Sequence, residues 1–86
     1  MNRDEVERKV IELAAKQVGV DPATVFPATH FVNDLAFDSL DAMDFAMNVE
    51  DEWDVSIPDD EEGAKLVTVE LVVDFVLKNR EAQAAA

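Results

Sequence analysis

The quartet Asp38-Ser39-Leu40-Asp41 sets a hydroxyl among carboxylates, and it is where this chain could support a reaction. A serine hydroxyl attacks an electrophile only when a base takes its proton. His30 is the sole imidazole, the 2 glycines are few for an oxyanion loop, and the neighbouring acids oppose a developing anion. Self-activated catalysis by Ser39 is not expected, and no catalytic residue is assigned. If the hydroxyl reacts, something else must activate it. By itself the quartet reads equally well as a helix cap, since Ser and Asp are favoured at helix starts. The absence of cysteine excludes disulfides, thiolate metal sites and thiol nucleophiles, and one histidine cannot build a histidine-rich metal centre. No metal site is expected: Asp59-Asp60-Glu61-Glu62-Gly63 lacks the alternating ligands of an EF-hand loop.

Charge surrounds that quartet unevenly. The 86 residues hold 20 Asp and Glu against 7 Lys and Arg, for a net charge of -13. Residues 1–16 and 65–86 each sum to zero, so the whole excess lies in 17–64, which carries thirteen acids and no Lys or Arg. Such a field repels nucleic acid and anionic membranes and steers cationic partners. No apolar run approaches the roughly 18–20 residues of a membrane span, and the polar start Met1-Asn2-Arg3-Asp4-Glu5 does not read as a secretory signal. A small monomeric cytoplasmic domain with basic protein partners is expected.

The elements that must position Ser39 are helices. Asn2 and Glu5 have capping-box spacing, Val6, Val10, Leu13, Ala14 and Val18 recur at helical intervals, and Gly19 suits a left-handed cap, giving a helix over about 3–18. A long loop follows, marked by Pro22 and Pro27, whose Val25, Phe26, Phe31, Val32 and Leu35 suggest that it packs down. The second helix runs from Ser39 to about Trp53, with Asp38 as N-cap and Asp41 at N3. Ile57-Pro58 forces an extended break. Asp59 and Glu62 open a short third helix around 59–64 that Gly63 limits. Thr68 caps a fourth over about 69–79, with Leu71, Val72, Phe75 and Val76 buried and Lys78 and Arg80 matching its C-terminal dipole. The fold class is all-α, a small four-helix bundle with one short helix. One domain spans 1–80, and 81–86 forms a frayed tail.

The second helix carries two apolar stripes. At about 100° per residue, Ala42, Phe45, Ala46, Val49 and Trp53 share a core face. Leu40, Met43 and Met47 fall nearly opposite, with Asp44 and Asp51 beside them and Asp41 and Glu50 flanking. A bundle this small cannot bury both faces. The second stripe is expected to be a docking face, in which acids orient a basic partner and methionines give adaptable contact.

The run Phe31-Val32-Asn33-Asp34-Leu35-Ala36-Phe37-Asp38-Ser39-Leu40-Asp41 resembles the modification site of acyl carrier proteins of the type II fatty-acid-synthesis kind. The resemblance takes in Val18-Gly19-Val20, Met43-Asp44, Met47, Glu50-Asp51-Glu52-Trp53, Ile57-Pro58-Asp59, Lys65, Thr68-Val69 and Asp74-Phe75-Val76. It implies a four-helix carrier without catalysis of its own. Ser39, flanked by Asp38 and Leu40, would receive 4′-phosphopantetheine from coenzyme A through a phosphopantetheinyl transferase that supplies Mg²⁺ and a base. The arm's thiol would present acyl thioesters to enzymes of fatty-acid or polyketide synthesis. Asp38, Leu40, Asp41, Met43, Asp44, Met47, Glu50, Asp51, Asp59 and Asp60 would meet those partners, and Phe31, Ala46, Val49, Leu66 and Val76 are candidates to line an acyl pocket or to be plain core.

Four features depart from the family pattern. Ala36 stands where glycine is usual, and Phe37 where a small or aliphatic residue is usual; the ring either alters partner choice or tucks against the loop. Trp53 replaces a common phenylalanine, and the stretch from Pro58 to Thr68 is one residue longer than usual, which would displace the third helix. Competing readings are a specialised polyketide, peptidyl or D-alanyl carrier, or an acidic interaction module with no prosthetic group.

Overall fold

A computed structural model of the chain describes residues 2–85, with side chains through Arg80. Its elements are α1 (Arg3–Val18), a 3-10 turn at Pro22–Thr24, α2 (Ser39–Trp53), α3 (Glu61–Ala64) and α4 (Val69–Ala85). The architecture is the expected helical bundle, with α1 packed against both α2 and α4. Among the described residues the extended structure amounts to an isolated bridge between His30 and Thr68.

Each helix begins where an acceptor side chain meets its first amides. The Asn2 carboxamide accepts from the Asp4 amide at 2.7 Å, and Gly19 closes α1 in the left-handed region at φ 72°. The Thr68 hydroxyl accepts from the Leu71 amide at 3.3 Å. Two further amides of α4 are satisfied from the loop: Val69 and Glu70 donate to the carbonyls of Thr29 and Pro27 at 3.2 and 2.8 Å. The Phe31 amide donates to the Val67 carbonyl at 2.9 Å. These bonds pin the long loop across the bundle and fix the approach to α2.

The core is rich in valine: Val6, Val10, Val49, Val69, Val72, Val73 and Val76 are fully buried, joined by Phe45 and Trp53. β-Branched side chains hold one helical rotamer and so lose little entropy when packed.

Several expectations need correction. Phe26 and Val32 are exposed rather than packed down, whereas Val25 and Phe31 are buried. Ala42 is exposed and Leu71 lies at the surface, so the core stripes of α2 and α4 are narrower than the periodicity suggested. The cap of α3 is Asp60, whose carboxylate accepts from the Glu62 amide at 3.0 Å, not Asp59. Gly63 lies inside α3 rather than ending it, and glycine is needed there because a Cβ would sit 1.9 Å from the Pro58 carbonyl oxygen. The α4 backbone continues to Ala85, beyond the expected end near residue 79, so Lys78 and Arg80 are not in the last turn. Arg80 instead donates to the Trp53 carbonyl at 3.1 Å, tying α4 to the end of α2.

Ion pairs are peripheral. Arg3 meets Asp74 at 2.6 Å, Lys9 reaches Glu52 at 3.6 Å and Lys65 reaches Glu62 at 3.4 Å, all with solvent-exposed side chains that contribute little individually. The acids of 17–64 therefore repel one another with little local compensation. Mobile cations screen exposed charges of this kind without needing a formed site. The melting temperature at neutral pH and low ionic strength is expected to rise on adding millimolar Mg²⁺ or Ca²⁺. A thermal scan indifferent to both ions would show that mutual repulsion has no hold on this fold.

Candidate functional site

Ser39 is the first residue of α2, and the geometry before it is tightly set. Asp38 is extended (φ -97°, ψ -174°) and forms a reciprocal capping box with Asp41. The Asp38 carboxylate accepts from the Asp41 amide at 2.8 Å, and the Asp41 carboxylate accepts from the Asp38 amide at 3.1 Å. The cap is thus supplied by Asp38, which leaves the serine hydroxyl without that duty. Ser39 is exposed, and among the described residues its hydroxyl has no hydrogen-bond partner.

His30 does not reach into this arrangement as a base. Its Nδ1 accepts from the amides of Val32 and Asn33 at 3.2 and 3.0 Å, while its own amide donates to the Asp34 carboxylate at 2.7 Å. The imidazole caps the turn that leads to α2.

Asp41 is held down in pKa by the Asp38 amide first and by the Gln17 carboxamide second, which donates to it at 3.1 Å. Both donors favour the charged form. Its folded value lies below its unfolded one, so its contribution to stability is present above the unfolded value and lost as pH falls through the folded one. In an NMR titration the Asp41 carboxyl should protonate at lower pH than an unperturbed aspartate, and Gln17→Ala should move it upward. An unmoved midpoint would remove Gln17 from the account.

The opposite stripe of α2 faces solvent as expected: Leu40, Met43 and Met47 are 69%, 61% and 57% exposed. Asp44, Asp51 and Asp59 stand exposed around or beyond them. Other acids of the expected docking set also serve the fold. Glu50 accepts from the Ile57 amide at 2.8 Å, Asp60 caps α3, and Asp41 is half-buried in its capping box.

Behind Ser39, between α2 and residues 57–67, lies an apolar cavity of about 220 Å³. Phe31, Ala46 and Leu66 line it, as do Phe37, Phe45 and Ala64. Val49 and Val76, also expected there, are sealed in the core at 0% exposure and do not line the cavity. Phe37 was the feature sequence left open, and the ring is tucked inward, 6% exposed. The signal that could have settled it was Ala36 at the family's usual glycine position: its φ of 56° is left-handed, a conformation glycine adopts without steric cost.

Comparison with known proteins matches residues 8–76 to the family model described as the phosphopantetheine attachment site. An acyl carrier protein of Thermosynechococcus vestitus is 46% identical over 76 residues, covering 88% of this chain and 93% of that one. This chain belongs to the acyl carrier proteins. Another acyl carrier protein, from Rubrobacter xylanophilus, is 40% identical over 82 residues, covering 95% of this chain and all of its own. Among solved structures, the thermally stable acyl carrier protein of Enterococcus faecalis superposes with a TM-score of 0.77 at 32% identity, over 92% of this chain and 99% of that one. The cofactor of the carrier is therefore 4′-phosphopantetheine, and the residues fit such a group: Ser39 offers an exposed hydroxyl with no hydrogen-bond partner among the described residues, at a helix start whose cap is already filled. No described helix is long and apolar enough to cross a membrane.

Proposed function

We propose that Ser39 is the attachment residue of this acyl carrier protein, that the acidic and methionine-bearing face of α2 docks its partner enzymes, and that the cavity behind Ser39 shelters the acyl chain. The observation that carries the reading is the exposed Ser39 hydroxyl, which forms no hydrogen bond among the described residues while Asp38 does the capping. Lacking a base of its own, Ser39 depends on the transferase. Its oxygen forms a bond to a phosphorus of the coenzyme A pyrophosphate, the phosphoanhydride bond breaks, adenosine 3′,5′-bisphosphate leaves, and the hydroxyl proton passes to the transferase. When bound, the group supplies a terminal thiol that holds acyl chains as thioesters.

The chain's own surface does the rest. Leu40, Met43 and Met47 give a small apolar patch, and Asp44 and Asp51 set the register of a basic partner. A patch this size favours fast, electrostatically steered, short-lived contacts, which suits a carrier visiting several enzymes in turn.

The test is intact-mass analysis after incubation with coenzyme A, Mg²⁺ and a broad-specificity phosphopantetheinyl transferase. A single phosphopantetheine adduct is expected, retained in Ser56→Ala, the other serine of the chain. An unmodified mass alongside a control carrier that is converted would overturn the proposal.

A further inference from the structure

The cavity behind Ser39 has an open side and a closed one. Val32, Ala42 and Ala64 line it and are exposed, so its mouth runs between α2, α3 and the loop that precedes α2. Phe31, Phe37, Phe45 and Val72 line it and are 6%, 6%, 4% and 2% exposed, so they form the wall between it and the core. Ser39 overlooks this space, because Ala46 lies two helical turns further along nearly the same line of α2.

The three rings touch one another. Phe31 and Phe37 stack with centroids 5.2 Å apart, Phe31 and Phe45 lie 4.8 Å apart, and Phe37 meets Phe45 edge-on at 5.6 Å. Phe45 is rooted in α2, and Phe31 is pinned by its amide to Val67. Phe37 belongs to neither helix. It is aimed inward by a turn in which the Ala36 amide donates to Val32 and the Phe37 amide to Phe31, both at 3.0 Å. Ala36 occupies the left-handed region to make that turn, at φ 56°. An alanine held there has steric strain that glycine would lack, and the result is a large ring placed in the wall.

We infer that Phe37 sets the length of acyl chain this carrier can shelter, acting as the end stop of the cavity. The inference rests on the sheltering role given above to that cavity. Its volume is about 220 Å³. Scaled from an apolar cavity of ~150 Å³ that takes a six-carbon ring, this holds roughly eight to nine carbons. A longer chain must displace a ring or leave its excess in water. Of the three rings, Phe37 is the one whose inward position is set by the left-handed turn at Ala36 rather than by α2 or by a bond to Val67, so it decides where shelter stops. The preferred cargo class is a straight medium-length acyl group.

The test loads holo-carrier with saturated straight-chain acyl groups from butyryl to tetradecanoyl and measures thioester cleavage by hydroxylamine. For the wild-type carrier the rate should fall with each carbon, by up to about fourfold per buried methylene, and level off near octanoyl. In Phe37→Ala the fall should continue to longer chains. Phe37→Leu, which keeps an apolar filler and guards against loss of fold, should level off in between. A break at the same length in all three proteins overturns the role of Phe37 while leaving shelter intact. Rates that ignore chain length in every protein overturn the sheltering reading itself, and this inference with it.

Discussion

In Ser39→Ala the phosphopantetheine adduct should vanish from the intact mass while the melting temperature moves little. The two halves of that expectation come from different atoms. The hydroxyl is the only group the substitution removes, and without it no phosphodiester can form at this position. The same hydroxyl has no hydrogen-bond partner among the described residues, and the capping box joins Asp38 to Asp41 instead. Stability should therefore change by less than ~0.5 kcal/mol, as for a surface site of no special geometry. Asp38→Ala should behave in the opposite sense. It leaves the nucleophile in place but removes the side-chain acceptor for the Asp41 amide, at a cost of about 1–2 kcal/mol. An adduct that survives in Ser39→Ala would move attachment to another hydroxyl and end the site assignment.

Phe45→Ala should cost about 3–5 kcal/mol, measured as a fall in the urea midpoint at unchanged slope. The ring is 4% exposed and touches both Phe31 and Phe37, so its loss empties the centre of the aromatic wall. A domain of this size has roughly 4–13 kcal/mol in total, and self-repulsion among the acids weighs against it further. Phe45→Ala is thus expected to be only marginally folded in low salt. Met47→Ala, on the same helix but 57% exposed, should change stability by less than ~0.5 kcal/mol. Equal costs for the two would mean that the faces of α2 are not divided between core and solvent.

Periodicity revealed the helices well where both faces of the problem were local. Asn2, Gly19, Asp38 and Thr68 each cap through an interaction within a few residues; α1 begins and ends, and α2 and α4 begin, where those residues stand. The placement of α3 was less legible. Asp59 and Asp60 are chemically equal candidates, and the choice of Asp60 follows from how the chain leaves Pro58 and brings Gly63 against that carbonyl. The loop was misread in part because apolar composition says that residues can be buried, not which ones the chain's path turns inward. Phe31 and Phe37 go in, while Phe26 and Val32 stay out.

What the sequence determined by itself was the reactive position and its electrostatic setting. Ser39 after Asp38, thirteen acids without a cation between 17 and 64, and a second apolar stripe on α2 are properties of residue order. Helical geometry converts that order into a face without knowledge of any other element. The cavity was decided only in three dimensions. Phe31, Phe37, Ala46 and Leu66 come from separate segments, and whether such residues enclose space or fill it depends on the distance between α2 and residues 57–67. The same holds for Val49 and Val76, which read as pocket candidates and are solid core. Packing is a relation between surfaces remote in the chain, so no local pattern encodes it.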